Sequence, residues 1–202
     1  LYADSEGRIL DWPGLEMVGR SGYAWQRLNE GDWIPLPEGS ELFLLPGRLP
    51  VGYDPRNRRF ETLAEDPYEP GKAIRAVAAF MAPAHTQIYS AAWQRLPEAP
   101  LLPLFAYTAV GWHKGAFVAA GVRVDLDERQ DHRNFDPDRI RRNARQRMRR
   151  EAGNRLIQHL GHCAVTYGCP AARNLFMNRW EAPLPTSLSC NARCLGCISL
   201  QD

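Results

Sequence analysis

The sequence predicts an α+β chain: a β-rich N-terminal module, a long basic amphipathic helix, and a tail that carries clustered cysteines. Three observations lead there. Short apolar runs punctuated by Pro and Gly occupy the first 125 residues. From Pro137 onward apolar residues recur every three or four positions, the repeat of a helix. Three cysteines then fall within residues 190–197. The expected organisation is an accessory module over residues 1–128, a helical segment over 129–180, and a closing segment over 181–202.

Each element has a local reason. Tyr2-Ala3 and Ile9-Leu10 flank Asp4-Ser5-Glu6-Gly7, a hairpin turn by composition. Leu42 to Leu45 is an apolar run closed by Pro46-Gly47. Val51-Gly52-Tyr53 and Phe60 to Leu63 flank Asp54-Pro55-Arg56-Asn57, where Pro suits the second turn position. From Ala73 to Met81 the alternation of Ile74, Ala76, Ala78 and Phe80 favours a strand over the helix that the alanines alone would allow. Phe105–Trp112 and Phe117–Val124 bracket His113-Lys114-Gly115 as a further hairpin.

Asp136-Pro137-Asp138 opens a helix: Asp as N-cap, Pro at the first helical position, Asp in the positive first turn. Ile140, Ala144, Met148, Ala152, Leu156, Leu160 and Cys163 then form one apolar stripe, which predicts a single helix reaching to about Ala164. Gly153 weakens it by about 1 kcal/mol relative to Ala. Gly168 and Pro170 end it, and a second helix is expected from Ala171 to Asn178.

Composition narrows the function classes. The chain has 202 residues, 45% hydrophobic and 24% charged, within the range of a globular protein with a real core. A net charge of +2 names no partner. No apolar run of about 18 residues is present, so no membrane span is expected. The N-terminal stretch lacks the basic start and apolar core of a signal peptide. Five cysteines, all beyond residue 160, make a poor disulfide framework; metal ligation in a reducing cytoplasm explains the clustering better.

Charge is uneven. Residues 129–155 hold ten arginines and four acids. Arg139, Arg141, Arg142, Arg145, Arg147, Arg149 and Arg150 surround the apolar stripe, forming either a phosphate-binding surface for nucleic acid or a nucleotide, or a solvated face. The Asp125-to-Asp131 stretch lacks a calcium-loop pattern, and Gly71-Lys72 lacks the rest of a phosphate loop. His113 reads as turn structure. His159 and His162, near a helix C-terminus, suit the dipole there.

The candidate metal centre is Cys190-Asn191-Ala192-Arg193-Cys194-Leu195-Gly196-Cys197. A C-x3-C-x2-C spacing on a Pro-rich approach lets three thiolates converge, and thiolate is the usual ligand of iron–sulfur clusters. Zinc is the rival: Cys194 and Cys197 make a good half-site, Cys190 a third ligand, with Cys163, His162 or Cys169 supplying the fourth. Cys163 lies on the apolar stripe, where burial is expected; Cys169 is a second-site ligand or a core thiol.

This segment resembles the cluster motif of the radical S-adenosylmethionine superfamily, in which Asn after the first Cys and Arg before the second are common companions. Gly196 stands where that family usually has an aromatic residue, and the resemblance covers residues 184–202. It implies that Cys190, Cys194 and Cys197 hold a [4Fe–4S] cluster whose open iron takes S-adenosylmethionine for 5′-deoxyadenosyl radical chemistry. It further implies a flavodoxin- or ferredoxin-type electron donor, and a partial (β/α) barrel whose first strand is Leu184 to Leu188. Because that barrel runs well beyond the motif, the chain is expected to be the N-terminal part of a longer enzyme and inactive alone. The β-rich module would then cap or feed the barrel mouth. The alternative function is a zinc-stabilised nucleic-acid-binding module that uses the arginine helix.

Overall fold

A computed structural model describes residues 1–102 and 106–179 of the chain. They form an α+β structure in two compact units, which divide after Val124. Phe105, the approach Leu184–Leu188 and the Cys190, Cys194 and Cys197 triplet lie outside the described residues.

The first unit is built from short antiparallel strands: β1 (Tyr2–Ala3), β2 (Ile9–Leu10), β3 (Val18–Ser21), β4 (Ala24–Arg27), β5 (Ile34–Pro35), β6 (Glu41–Leu45), β7 (Arg48–Asp54), β8 (Arg59–Thr62), β9 (Arg75–Phe80), β10 (His85–Gln87), β11 (Ser90–Ala91), β12 (Trp93–Arg95), β13 (Val110–His113), β14 (Ala116–Ala119) and β15 (Gly121–Arg123). They pair in the orders β2-β1-β9-β6, β11-β3-β4, β12-β7-β8, β13-β14-β5 and β10-β15.

The expected hairpins form for the reasons their turn residues give. Asp4, almost fully buried, accepts from the backbone N–H groups of Glu6 (2.9 Å) and Arg8 (2.8 Å) and from the Arg8 Nε (2.6 Å), which closes β1 on β2. Asp54 does the same between β7 and β8, accepting from the N–H groups of Arg56 and Asn57 and from Asn57 Nδ2. Between β13 and β14 the register pairs His113 with Ala116, leaving Lys114 and Gly115 as a two-residue turn with positive φ at both positions. That is the hairpin turn whose twist matches the flanking strands. Gly47, at φ +70° between β6 and β7, also passes so close to Ala99 that a Cβ would stand 2.7 Å from the Ala99 Cα.

The Ala-rich run from Arg75 to Phe80 is a strand, β9, central in its sheet between β1 and β6. Its four middle residues are buried on both faces, which small side chains permit. One cluster gathers Leu45, Ala76, Ala78, Ala91, Trp93 and Tyr107; another gathers Ala3, Val77, Ala79 and Val110. Arg48 is completely buried. Its guanidinium lies 5.8 Å from the centre of the Trp93 ring and donates to the Pro46 carbonyl at 2.8 Å.

The second unit, residues 125–179, differs from the single long helix expected. The stripe from Ile140 to Cys163 is divided between α1 (Pro137–Arg150) and α2 (Arg155–Val165), followed by α3 (Pro170–Phe176). The chain leaves helical geometry at Glu151, and Asn154 restarts it: its side-chain oxygen accepts from the N–H groups of Leu156 (3.1 Å) and Ile157 (3.3 Å). Gln158 reaches back to the carbonyls of Met148 (2.8 Å) and Glu151 (3.3 Å), satisfying acceptors that the break exposes. Ala152, expected on the stripe, is exposed.

Folding the stripe back on itself lets both halves bury the same kind of face. Phe135, Ile140, Ala144, Leu160, Ala164, Ala172, Phe176 and Met177 form one core. Gly161 is where α2 meets α1: a Cβ there would overlap the Met148 sulfur and stand 2.8 Å from its Cγ. No helix among the described residues is long and apolar enough to cross a membrane.

Candidate metal centre and arginine face

The two described cysteines sit on either side of the α2–α3 turn. Cys163 is on α2; Cys169 caps α3, and its N–H donates to the Cys163 carbonyl at 3.1 Å. Neither is in a disulfide, and both are half-buried against the helical core. Cys163 is therefore less enclosed than its place on the stripe suggested. Its sulfur lies 3.6 Å from His159 Nε2, one helical turn back. Burial, and secondarily the neighbouring Cys169, push the Cys163 thiol up from its ordinary value. A thiol held protonated is a poor nucleophile and an unready metal ligand.

His162 packs its ring edge-on to Tyr167 at 4.9 Å and lies 3.3 Å from the Thr166 hydroxyl through Nδ1. Among the described residues no three or more His, Cys, Asp or Glu side chains are grouped to hold a metal ion. The Asp125–Asp131 stretch likewise serves the fold. Asp127 accepts from the Arg129 N–H and pairs with its guanidinium, which pulls its carboxyl down to about 2.

The arginines of α1 fall into two sets. Arg141 pairs with Asp138 at 2.5 Å; Arg147 and Arg150 share Glu151 at 3.2 and 3.0 Å. Arg139, Arg142, Arg145 and Arg149 are exposed and make no ion pair or side-chain hydrogen bond among the described residues. Their spacing of three, three and four residues keeps them on one side of the helix, away from Ile140 and Ala144. Asp136, the nearby acid, has its oxygen committed to the N–H groups of Asp138 (3.0 Å) and Arg139 (2.9 Å). These backbone bonds, then the Arg142 and Arg139 charges, hold its carboxyl below the ordinary value.

Sequence reasoning missed a set of polar links within the helical unit. Arg179 donates to the backbone carbonyls of Arg129 and Asn134 and lies over the Phe135 ring at 4.9 Å. Buried Asn174 donates to Gln130 at 3.1 Å, and Asn143 donates to the Phe176 carbonyl at 2.6 Å. These links tie α1 to α3, and α3 with Arg179 beyond it to the chain before α1. Only their long separation in sequence hid them.

In the first unit, Leu15, Met17, Trp33, Trp112, His113 and Val118 line a cleft of about 390 Å³. At its edge Glu30 accepts from Lys114 (3.2 Å) and lies 3.0 Å from His113 Nε2. Lys114, then His113, hold the Glu30 carboxyl below its ordinary value. His113, expected to be turn structure, thus also belongs to a polar cluster with Glu30 and Lys114.

The chain matches no protein-family model, and no curated protein or solved structure is significantly similar to it.

Proposed function

We propose that the chain is the N-terminal part of a radical S-adenosylmethionine enzyme in which Cys190, Cys194 and Cys197 hold a [4Fe–4S] cluster. One observation carries this reading: three cysteines at C-x3-C-x2-C spacing within eight residues. The donor set fits the group. Three thiolates ligate three irons and leave a fourth iron open, as the chemistry of S-adenosylmethionine binding requires. A cluster so held supplies, when bound and reduced by a flavodoxin- or ferredoxin-type donor, the electron for 5′-deoxyadenosyl radical chemistry. The protein's share is to hold the three sulfurs as thiolates on one loop and to place substrate beside them. The partial (β/α) barrel would follow the cysteine motif, with residues 1–128 as an accessory module that caps or feeds its mouth.

The described cysteines support this division of labour. Cys163 and Cys169 are packed against the helical core, and burial pushes the Cys163 thiol up from its ordinary value. A zinc site would have to recruit one of them, or His162, as its fourth ligand. The second reading, a zinc-stabilised nucleic-acid-binding module, draws its support from the four arginines of α1 that have no ion pair among the described residues, rather than from the cysteines.

Anaerobic purification separates the two. The first reading predicts brown protein with about four irons and matching sulfide per chain. Colourless protein holding one zinc per chain, with no iron uptake on reconstitution, would reject it in favour of the second.

A further inference from the structure

We infer that the face of α1 formed by Arg139, Arg142, Arg145 and Arg149 binds the phosphate backbone of duplex nucleic acid without regard to sequence. This does not rest on the cluster reading and needs no metal. It gives the nucleic-acid element of the second reading a surface, a ligand form and a subset of residues.

The arginines of α1 are divided between paired and, among the described residues, unengaged positions. Seven lie on α1; Asp138 and Glu151 pair with Arg141, Arg147 and Arg150, while Asp136, its oxygen taken by backbone N–H groups, lies near Arg142 and Arg139 without pairing with either. A solvated helix face laced with ion pairs would have distributed its acids along its length. Instead Arg139, Arg142, Arg145 and Arg149 share one side, and that side holds no acid between Arg139 and Arg149. Residues 125–179 as a whole carry 12 arginines against seven acids. Among the described residues the row therefore presents four exposed guanidinium groups with no ion-pair partner, the Asp136 carboxylate lying near Arg142 and Arg139.

The row also has dimensions that suit a run of phosphates. At about 1.5 Å per residue the row is about 15 Å long. It is straight, because it lies within one regular helix, and exposed Gln146 on the same side adds a neutral donor. Guanidinium is the side chain best matched to phosphate oxygens, through bidentate contacts. A rigid row of four meets a run of phosphates on a duplex, where charges are regularly spaced.

The packing and composition of α1 suit other polyanions less well. A membrane surface would draw on a basic amphipathic helix only if its apolar face were available. Here Ile140 and Ala144 are buried in the helical core, so α1 has no apolar face to insert. Single-stranded nucleic acid is held by aromatic side chains on which bases stack. Nothing from Pro137 to Arg150 is aromatic. What remains is backbone recognition by charge alone.

The test uses fluorescence anisotropy of the full chain with a labelled mixed-sequence duplex of 20 base pairs, as DNA and as RNA, at several salt concentrations. Four neutralised phosphates predict a log–log salt slope of about −3 to −4, or roughly a hundredfold loss of affinity between 50 and 200 mM salt. The R142Q/R145Q variant is expected to lower the slope by about 2. R142K/R145K, which keeps the charges, is expected to leave it nearly unchanged, and R141Q to change it less than R142Q does. Unaltered circular dichroism confirms folding of each variant. Absence of binding at low salt, a slope indifferent to R142Q/R145Q, tighter binding to the single strand, or binding to phosphatidylserine vesicles in place of the duplex would each overturn the assignment.

Discussion

Replacing Asn154 by Ala distinguishes a broken helix from a continuous one by the sign of its effect. In the structure Asn154 caps α2, its oxygen accepting from the N–H groups of Leu156 and Ile157 at 3.1 and 3.3 Å. Two of the four amides that a helix start leaves without partners are satisfied by this one side chain. The side chain is exposed, so no cavity or core contact is lost with it. Removing the cap costs about 1 kcal/mol, within a general range of about 0.5–2. If the stripe from Ile140 to Cys163 lay on one uninterrupted helix, residue 154 would be interior. Ala would then be the better residue and N154A would stabilise by up to about 0.7 kcal/mol. Urea unfolding followed at 222 nm, where the helical unit dominates, measures the difference. We predict a lower midpoint with an unchanged slope, equivalent to a drop of a few degrees in Tm. A raised midpoint would refute the break and the capping argument together.

Other consequences follow from single contacts. Gly161→Ala places a Cβ into the Met148 side chain and should destabilise by about 1–3 kcal/mol despite the better helix propensity of Ala; combining it with Met148→Ala should recover part of that loss, read by the same unfolding assay. Asp127, at about 2, and Asp136 have carboxyls depressed in the folded chain. The stability they add is present above their unfolded value near 4 and is lost as pH falls through the folded value. Stability should therefore decline between about pH 4 and pH 2, and Asp127→Asn should flatten that decline. Because the Cys163 thiol is pushed up, iodoacetamide should modify Cys163 more slowly than an unstructured cysteine at pH 8, measured by peptide mass spectrometry; equal rates would contradict its packing.

The parts of the fold legible in the sequence are those decided within a few residues. Asp4, Asp54 and the Lys114-Gly115 pair write their own turns, since side-chain oxygens or positive φ act locally. The β3–β4 hairpin had the same kind of signal in Ser21-Gly22, with Gly22 at φ +59°, and was overlooked. The break between α1 and α2 was hidden because the apolar spacing continues through Ala152, although Gly153-Asn154 marks a stop and a cap. Burial of Arg48 was not legible, because it depends on Trp93, brought alongside by strand pairing rather than by sequence neighbourhood. The pairing of Arg141 with Asp138 and of Arg147 with Glu151 follows helical spacing and was open to sequence reasoning. What remained for the structure was the row of arginines those acids leave over.

The cysteine triplet is legible as donor chemistry alone, and the central claim rests on it. Electron paramagnetic resonance of the anaerobically reconstituted, dithionite-reduced chain, with and without S-adenosylmethionine, tests that claim most directly. The account predicts a [4Fe–4S] signal that S-adenosylmethionine perturbs and that Cys190→Ala, Cys194→Ala or Cys197→Ala abolishes. No signal, or a signal indifferent to both S-adenosylmethionine and the three substitutions, would contradict it.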